Sequence, residues 1–466
     1  MTRLTWLGVL LALGCGRLST PDRAPDEGPR EATLFVFSDL RGTLKPCGCS
    51  PDLRRGGVDR VAEVLRLARA SAAGAPVLHA GDLLLDDEGI PDFLRPQIDA
   101  KTTAGGEALR FMGVAAATVG PSDLQQPEWL AKALPGVGIP IIVTNPPPTA
   151  PWVAGTRRSI VLDVRGVKVG VLGLIPEASG GSPPGPAARA EADALRQGGA
   201  VLIVALSSLG LRGAKRTLRE GLGVDVLVAA GQGLDAIVSD EVEPLGPGGA
   251  PTYLVQSFVQ GGQVGRLEVV MTGGPLAAEF PGEPAPKGSS TLRWSLTPVG
   301  WDLPREPTIA SLMDRFDADL EQINMATASD PVPPAAGEAG YVGVEKCLEC
   351  HEETRAFWEK DRHHDAWETI VEDKKTFDIY CVSCHVTGFM RPGGSSIKKL
   401  DGLHDVQCES CHGPGSLHAE SSEAAHIQRE VPESTCRTCH NPKHSTRFDY
   451  DAYKKRLLVP GHGLGD

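Results

Sequence analysis

Four copies of one pentapeptide pattern constrain this chain more than any other feature. They are Cys347-Leu348-Glu349-Cys350-His351, Cys381-Val382-Ser383-Cys384-His385, Cys408-Glu409-Ser410-Cys411-His412 and Cys436-Arg437-Thr438-Cys439-His440. Each reads C-x-x-C-H, the attachment signature of a c-type haem. The spacing has a chemical reason. Two thiols separated by two residues can add to the two vinyl groups on one edge of a porphyrin, and the adjacent histidine is then held beneath the iron as its proximal ligand. Cysteine pairs of this spacing also build zinc sites. Four copies, each with histidine in the same place, favour four covalent c-type haems over zinc. On that reading the attachment residues are Cys347, Cys350, Cys381, Cys384, Cys408, Cys411, Cys436 and Cys439. The proximal ligands are His351, His385, His412 and His440.

The remaining histidines and cysteines divide the chain. Of 12 histidines, 11 lie between His351 and His462, and only His79 precedes them. Of 11 cysteines, three fall outside the motifs: Cys15, Cys47 and Cys49. A ligand-rich domain is therefore expected over 341–466, after a histidine-poor domain over 33–300 and a connector over 301–340. Seven histidines are candidates for the distal positions of four irons: His363, His364, His404, His418, His426, His444 and His462. Bis-histidine ligation suits electron transfer at fairly low potential, whereas an iron left without a sixth ligand could bind a small molecule. The haems should supply most of the core of the C-terminal domain, leaving short helices and loops with almost no sheet.

Charge excludes one class of partner. The chain carries a formal −13, of which 16 Lys and Arg against 21 Asp and Glu from Tyr341 onward account for −5. Neither part is basic, so a nucleic-acid partner is not expected. Oligomeric state is not legible.

Residues 1–15 read as an export segment. Arg3 precedes an apolar run, Leu4 to Leu13, that has the length of a signal-peptide core and is too short to span a bilayer. It ends Leu11-Ala12-Leu13-Gly14-Cys15, which resembles a bacterial lipobox except for Ala12 in place of the usual leucine. Lipid modification at Cys15 would anchor an exported protein to a membrane, with 16–32 as tether. Periplasm, outer membrane and cell surface all remain open as destinations. Export is also what the motifs require, since c-type haem is attached outside the bacterial cytoplasm.

Between Ala32 and Pro298 short apolar runs alternate with amphipathic stretches. Strands are expected at Thr33–Ser38, Pro76–His79, Ile139–Thr144, Ile160–Val164, Val167–Leu174, Ala200–Ala205 and Val224–Ala229. Helices are expected at Gly57–Ala73, Gly105–Ala117, Ala187–Gln197 and Lys215–Gly221. Three late strands, Thr252–Gln256, Gly265–Met271 and Thr291–Thr297, come without intervening helices. This mix predicts an α/β domain with two sheets. Thr308–Asn324 then reads as an amphipathic helix packing on that domain, and Met325–Gly340 as a flexible linker.

Ser38-Asp39-Leu40-Arg41-Gly42, the Gly56-Gly57 helix start and His79-Ala80-Gly81-Asp82 resemble the opening of the 5′-nucleotidase-type metallophosphoesterases. The resemblance continues through Gly120-Pro121-Ser122-Asp123, Ser207-Ser208-Leu209-Gly210 and Gly231-Gln232-Gly233-Leu234. It covers roughly residues 33 to 300 and implies an α-β-β-α sandwich. The departures matter more. Of the family's two-metal ligand set only Asp39 and Asp82 remain. Arg41, Pro121, Ser122, Ser208, Gln232 and Leu234 stand where ligands or catalytic groups belong. Two carboxylates cannot hold two metals and orient a hydroxide, so loss of the hydrolase is expected, with Arg41 neutralising Asp39 and Asp82 instead. Pro46-Cys47-Gly48-Cys49-Ser50 resembles Cys-Gly-Cys loops of some exported relatives. It reads equally as an inert disulfide or free thiols and as a redox or metal-binding loop.

The C-terminal domain resembles the tetrahaem cytochromes that accept electrons from hydroxylamine oxidoreductase. The strings that carry this are Tyr341-Val342-Gly343, His363-His364-Asp365-Ala366, Cys384 to Phe389, Val406 to His418, and Phe448-Asp449-Tyr450. The resemblance favours His363 and His418 as distal ligands, then His404, His444 and His462. It implies a mainly α, loop-rich multihaem cytochrome c that passes electrons between redox partners, a membrane quinol-linked donor or other cytochromes. Because such cytochromes include an open haem, an oxidoreductase acting on a small nitrogen or sulfur compound, there or at Cys47/Cys49, is the alternative.

Overall fold

The computed structural model describes residues 28–45, 55–86, 90–231, 238–239, 241–247, 251–280, 282–442, 444–445 and 447–464. Cys15, Cys47, Cys49, Gln232 and Leu234 lie outside them. The strands of the N-terminal domain are β1 (Arg30–Ser38), β2 (Val77–Ala80), β3 (Val114–Ala117), β4 (Ile141–Ile142), β5 (Thr156–Arg157), β6 (Ser159–Val164), β7 (Val167–Leu174), β8 (Leu202–Ser207), β9 (Val226–Ala229), β10 (Glu243–Leu245), β11 (Thr252–Gln256), β12 (Gln263–Met271), β13 (Leu276–Ala278) and β14 (Ser290–Pro298). Its helices are α1 (Val58–Ala68), α2 (Arg95–Phe111), α3 (Pro121–Leu124), α4 (Pro127–Val137), α5 (Pro184–Gln197), α6 (Gly210–Arg219) and α7 (Pro307–Thr327).

Eight strands form one sheet in the order β13-β14-β12-β1-β2-β3-β4-β5, and six form a second in the order β10-β11-β9-β8-β7-β6. The strands from β1 to β5 run parallel to one another, and so do β7, β8, β9 and β11. Parallel strands buried on both faces read as continuous apolar runs, as Leu202–Ser207 and Val226–Ala229 do. Three apolar cores fill the gaps. Val36, Leu78, Val169, Val204, Val228 and Leu267 belong to the core between the sheets. Val61, Leu65, Leu109, Leu130 and Leu312 join the first sheet to its outer helices. Ala188, Leu195, Ala214 and Leu218 seat α5 and α6 on the second sheet. The result is the α-β-β-α sandwich.

One helix lies elsewhere than its sequence suggested. Gly105–Ala117 reads as helix, but α2 spans Arg95–Phe111, Gly113 turns the chain at φ 69°, and Val114–Ala117 is strand β3. The apolar VAAA run fits either period, and only the parallel pairing with β2 decides it. Helix α7 buries Ile309, Leu312, Met313, Phe316 and Leu320 in the same core as α1 and α2. The stretch that follows, expected to be a flexible linker, is tied to the C-terminal domain. The N–H of Gly393 donates to Val332 O at 2.9 Å, Lys398 Nζ to Ala328 O at 2.8 Å, and Gly340 N to Ser416 Oγ at 2.9 Å.

The C-terminal domain is built from short helices: α8 (Val344–Leu348), α9 (Arg355–Trp358), α10 (Ala366–Glu372), α11 (Ile379–His385), α12 (Cys408–His412), α13 (Ser416–Ser421), α14 (Glu433–Arg437) and α15 (Tyr450–Leu457). Its one sheet among the described residues pairs Val459–Pro460 with Gly463–Leu464.

Candidate functional site

All four motifs sit on helical turns. Helices α11 and α12 contain the second and third whole, and in the first and fourth the histidine N–H donates to the O of Cys347 or Cys436, at 3.1 and 2.8 Å. Residues three apart on a helix share a face, so each motif presents both thiols to one side. That side is a cavity of about 2550 Å³, lined by all eight motif cysteines, the four motif histidines, and His363, His418, His444 and His462. A pocket for one small molecule is about 300–1,000 Å³, so this space suits several cofactors. The Cys347 thiol lies close enough to Cys408 to interact with it, and that of Cys384 to Cys439. The first motif therefore faces the third, and the second faces the fourth. Burial pushes the Cys411 thiol up to about 12.

Among the described residues three imidazole pairs face each other across the cavity. The ring centres of His351 and His418 are 6.3 Å apart with planes 18° from parallel. Those of His363 and His440 are 6.1 Å apart at 75°, and those of His412 and His462 are 6.2 Å apart at 77°. A metal–imidazole bond is about 2.0–2.1 Å, and the ring centre lies roughly 1 Å beyond the nitrogen. Two imidazoles on opposite faces of one iron therefore have centres about 6 Å apart.

The orientation of the rings points the same way. Nδ1 lies 2.5 Å from Ala366 O in His385, 2.7 Å from Gln428 O in His412, 3.0 Å from Glu423 O in His418 and 2.7 Å from Leu457 O in His462. In His363 it meets Asp361 Oδ1 at 2.7 Å. A carbonyl or carboxylate holding Nδ1–H fixes the tautomer and leaves Nε2 as the ligand nitrogen. These donors, with paired thiols beside them, fit c-type haem. His404 is exposed, its ring 6.3 Å from that of Trp367, and it does not line the cavity. His364 and His426 also lie off it, with Nδ1 on Asp365 and Ser421.

Sequence reasoning missed Glu409 and Gln407. The buried Glu409 carboxylate accepts from the backbone N–H groups of Val342, Gly343 and Gly415 at 2.7–3.1 Å, tying the first motif's entry to the third. Burial raises its pKa against those donors. Gln407 Oε1 accepts from Val344 N, and its Nε2 donates to Gly402 O and His404 O. The only signal available was their place inside a family-like string.

At the carboxyl ends of β1, β2, β8 and β9 lies the second constellation. Asp39, at φ 46°, is fully buried. Its Oδ1 accepts from Asp82 N at 3.1 Å, and both its oxygens accept from Gly231 N at 2.9 and 3.1 Å. A Cβ on Gly81 would stand 2.0 Å from Asp39 Oδ1, so that position requires glycine. Ser122 donates its N–H and hydroxyl to the two oxygens of Asp82, each at 2.8 Å, and Arg41 Nη2 lies 3.6 Å from Asp82 Oδ2. Asp123 is consumed by the N–H groups of Leu83, Leu84 and Leu85. His79 packs edge-on against Phe37, accepts from Leu40 N through Nε2, and is held down to about pKa 3 by burial. Among the described residues no cluster of three or more His, Cys, Asp or Glu is placed to hold a metal ion.

Burial, then the Asp82 charge, pushes Asp39 up to about 7 against the pull of Arg41, and the same two causes raise Asp123 to about 7. Both carboxyls thus bind protons more tightly folded than unfolded. Their contribution to stability is complete below pH 3.8 and is lost as the pH rises toward 7. The metal-free sandwich is expected to melt at a higher temperature near pH 5.5 than near pH 8, and Asp39→Asn to flatten that slope. A melting midpoint that rises with pH in the wild type contradicts this assignment.

Comparison with known proteins divides the chain as the geometry does. Residues 346–413 match a family model described as cytochrome c554 and c-prime. The chain is 35% identical over 96 residues to a Nitrosomonas europaea protein described as cytochrome c-554, covering 17% of this chain and 41% of that one. Among solved structures, the 5′-nucleotidase precursor of Thermus thermophilus superposes with a TM-score of 0.51 at 19% identity, over 65% of this chain and 61% of that one. The Haemophilus influenzae NAD nucleotidase superposes with a TM-score of 0.49 at 15% identity, over 68% of this chain and 65% of that one. The chain thus spans less than half of the cytochrome and under two thirds of the first nucleotidase. The C-terminal likeness is to cytochrome c554, and the N-terminal domain has the metallophosphoesterase-like fold.

Proposed function

We propose that this chain is a multihaem c-type cytochrome that carries electrons through four covalent haems, and that its phosphoesterase-like domain has lost the two-metal hydrolase site. The observation that carries the reading is the cavity itself: eight thiols and three facing imidazole pairs around one space. Zinc held by cysteine pairs would leave those opposed imidazoles without a purpose.

Bound haem supplies a one-electron couple at each iron. The protein's part is attachment and orientation. The Cys-x-x-Cys thiols would attach each porphyrin edge, and His351, His385, His412 and His440 would serve as proximal ligands. His418, His363 and His462 face His351, His440 and His412 and would serve as distal ligands, with His444, which also lines the cavity, available for the fourth. Carbonyl and carboxylate partners on Nδ1 hold the rings of His363, His385, His412, His418 and His462 in place. The approach of the first motif to the third, and of the second to the fourth, would bring haems held there near one another, which supports a relay between them. The partners are redox proteins, a membrane quinol-linked donor or other cytochromes. The apolar leader and Cys15 support a chain that works outside the cytoplasm on a lipid anchor.

In the sandwich, the oxygens of Asp39 and Asp82 are occupied by N–H and hydroxyl donors and by Arg41, which supports a site that works without metal. Intact mass and metal analysis of the chain, purified from a host that attaches c-type haem, test both claims. Four haem adducts are expected, with neither manganese nor zinc bound in stoichiometric amount. Zinc without adducts, or a manganese-loaded chain that turns over a phosphate ester, overturns the proposal.

A further inference from the structure

The second motif is gripped from outside its own domain. Gln97, on α2 of the sandwich, is fully buried. Its Oε1 accepts from the backbone N–H of Ile379 at 3.0 Å and from Asn324 Nδ2 at 2.8 Å. Its Nε2 donates to Asp378 Oδ1 at 2.5 Å. That same Asp378 oxygen accepts from Tyr380 N at 3.1 Å and caps α11. Asn324, on the last turn of α7, also donates to Phe377 O at 2.6 Å. Ile379 completes the contact by burying itself in the sandwich's outer core, and Lys101 of α2 lies 4.0 Å from the centre of the Tyr380 ring. From this grip α11 runs directly into Cys381, Cys384 and His385.

We propose that Gln97 is a positioning residue for the haem of the second motif, and that through it the sandwich domain sets that haem's reduction potential. The inference rests on the multihaem reading above. Its physical basis is the shortness of α11. The capped first turn and the ligand are separated by one helical turn, so a displacement at Asp378 is transmitted to His385 with little relaxation. His385 Nδ1 is held 2.5 Å from Ala366 O. Hydrogen bonding at that nitrogen governs the basicity of the ligand, and ligand basicity and burial in turn govern the potential. The amide is needed because it accepts from two donors and donates to a carboxylate at once. A side chain of the same length without those groups leaves the Ile379 N–H without its acceptor in a buried place.

The test uses the full, haem-loaded chain with Gln97→Met and, independently, Asn324→Leu. Each variant is characterised by intact mass and by spectropotentiometric titration. Both are expected to keep their haems and to move one of four couples while the other three stay in place. The expected size is at least a tenfold change in that couple's oxidised-to-reduced ratio at fixed potential, about 59 mV for one electron. Four unmoved couples overturn the proposal, and so does a uniform shift of all four, which would indicate general loosening. If Gln97→Met does not fold, Gln97→Asn, one methylene shorter, is held to the same single-couple shift. A wild-type chain with fewer than four haems refutes the multihaem reading instead, so the two failures are distinguishable.

Discussion

Withholding haem is expected to unfold residues 341–464 while the sandwich remains folded. The C-terminal domain has little of its own to hold it. Its apolar cluster is Ile370, Val382 and Val386, against the three extensive cores of the sandwich. Its longest helix, α15, has eight residues, and helices shorter than about 12–15 residues are marginal without tertiary packing. The side chains that face the cavity need a solid partner, because protein interiors are stable only when close-packed. Proteolysis of the haem-free chain is expected to cut within 341–464 at least about a hundredfold faster than in the loaded chain, about 2.7 kcal/mol of lost protection. The segment from Phe377 to Tyr380 should be cut last, because Gln97 and Asn324 hold it to the sandwich. Equal resistance with and without haem would mean that the domain has a core of its own.

Replacing His418 by alanine is expected to convert one iron of four from low spin to high spin. The change should be specific in the electron paramagnetic resonance spectrum. Planes that lie near parallel, as in His351 and His418 at 18°, split the two iron orbitals that share the unpaired electron and give a rhombic signal. Planes that cross at 75° or 77°, as in His363 with His440 and His412 with His462, leave those orbitals nearly degenerate and give strongly anisotropic signals. His418→Ala should therefore abolish the rhombic low-spin component, leave the anisotropic ones, and add a high-spin signal that shifts with cyanide. An unchanged low-spin spectrum would show that His418 is not a ligand.

Much of this was legible in the sequence, for a physical reason. The C-x-x-C-H pattern is local, since both thiols and the adjacent imidazole come from one helical turn. The strands β7 and β11 were also readable to the residue, because buried residues dominate both. What was hidden depends on residues far apart in the chain. Nothing near His363 says that it faces His440, and nothing near Gln97 says that it meets Asp378. Strand β3 was hidden because VAAA fits a helix as well as a strand until β2 lies beside it. The two-residue strand β5 is too short to show a period, whereas β4 falls inside the strand expected at Ile139–Thr144. Asp39 and Asp82 were visible through the family resemblance of the strings that carry them, but the Ser122 and Gly231 donors that meet them were not.

The most direct test of the multihaem account is the number of electrons the chain accepts. A reductive titration of the intact protein, followed in the visible band of reduced c-type haem, should end at four electrons per chain and reverse fully on reoxidation. An end point of zero with zinc at the cysteines, or of fewer than four electrons with some motifs carrying no haem, would contradict it.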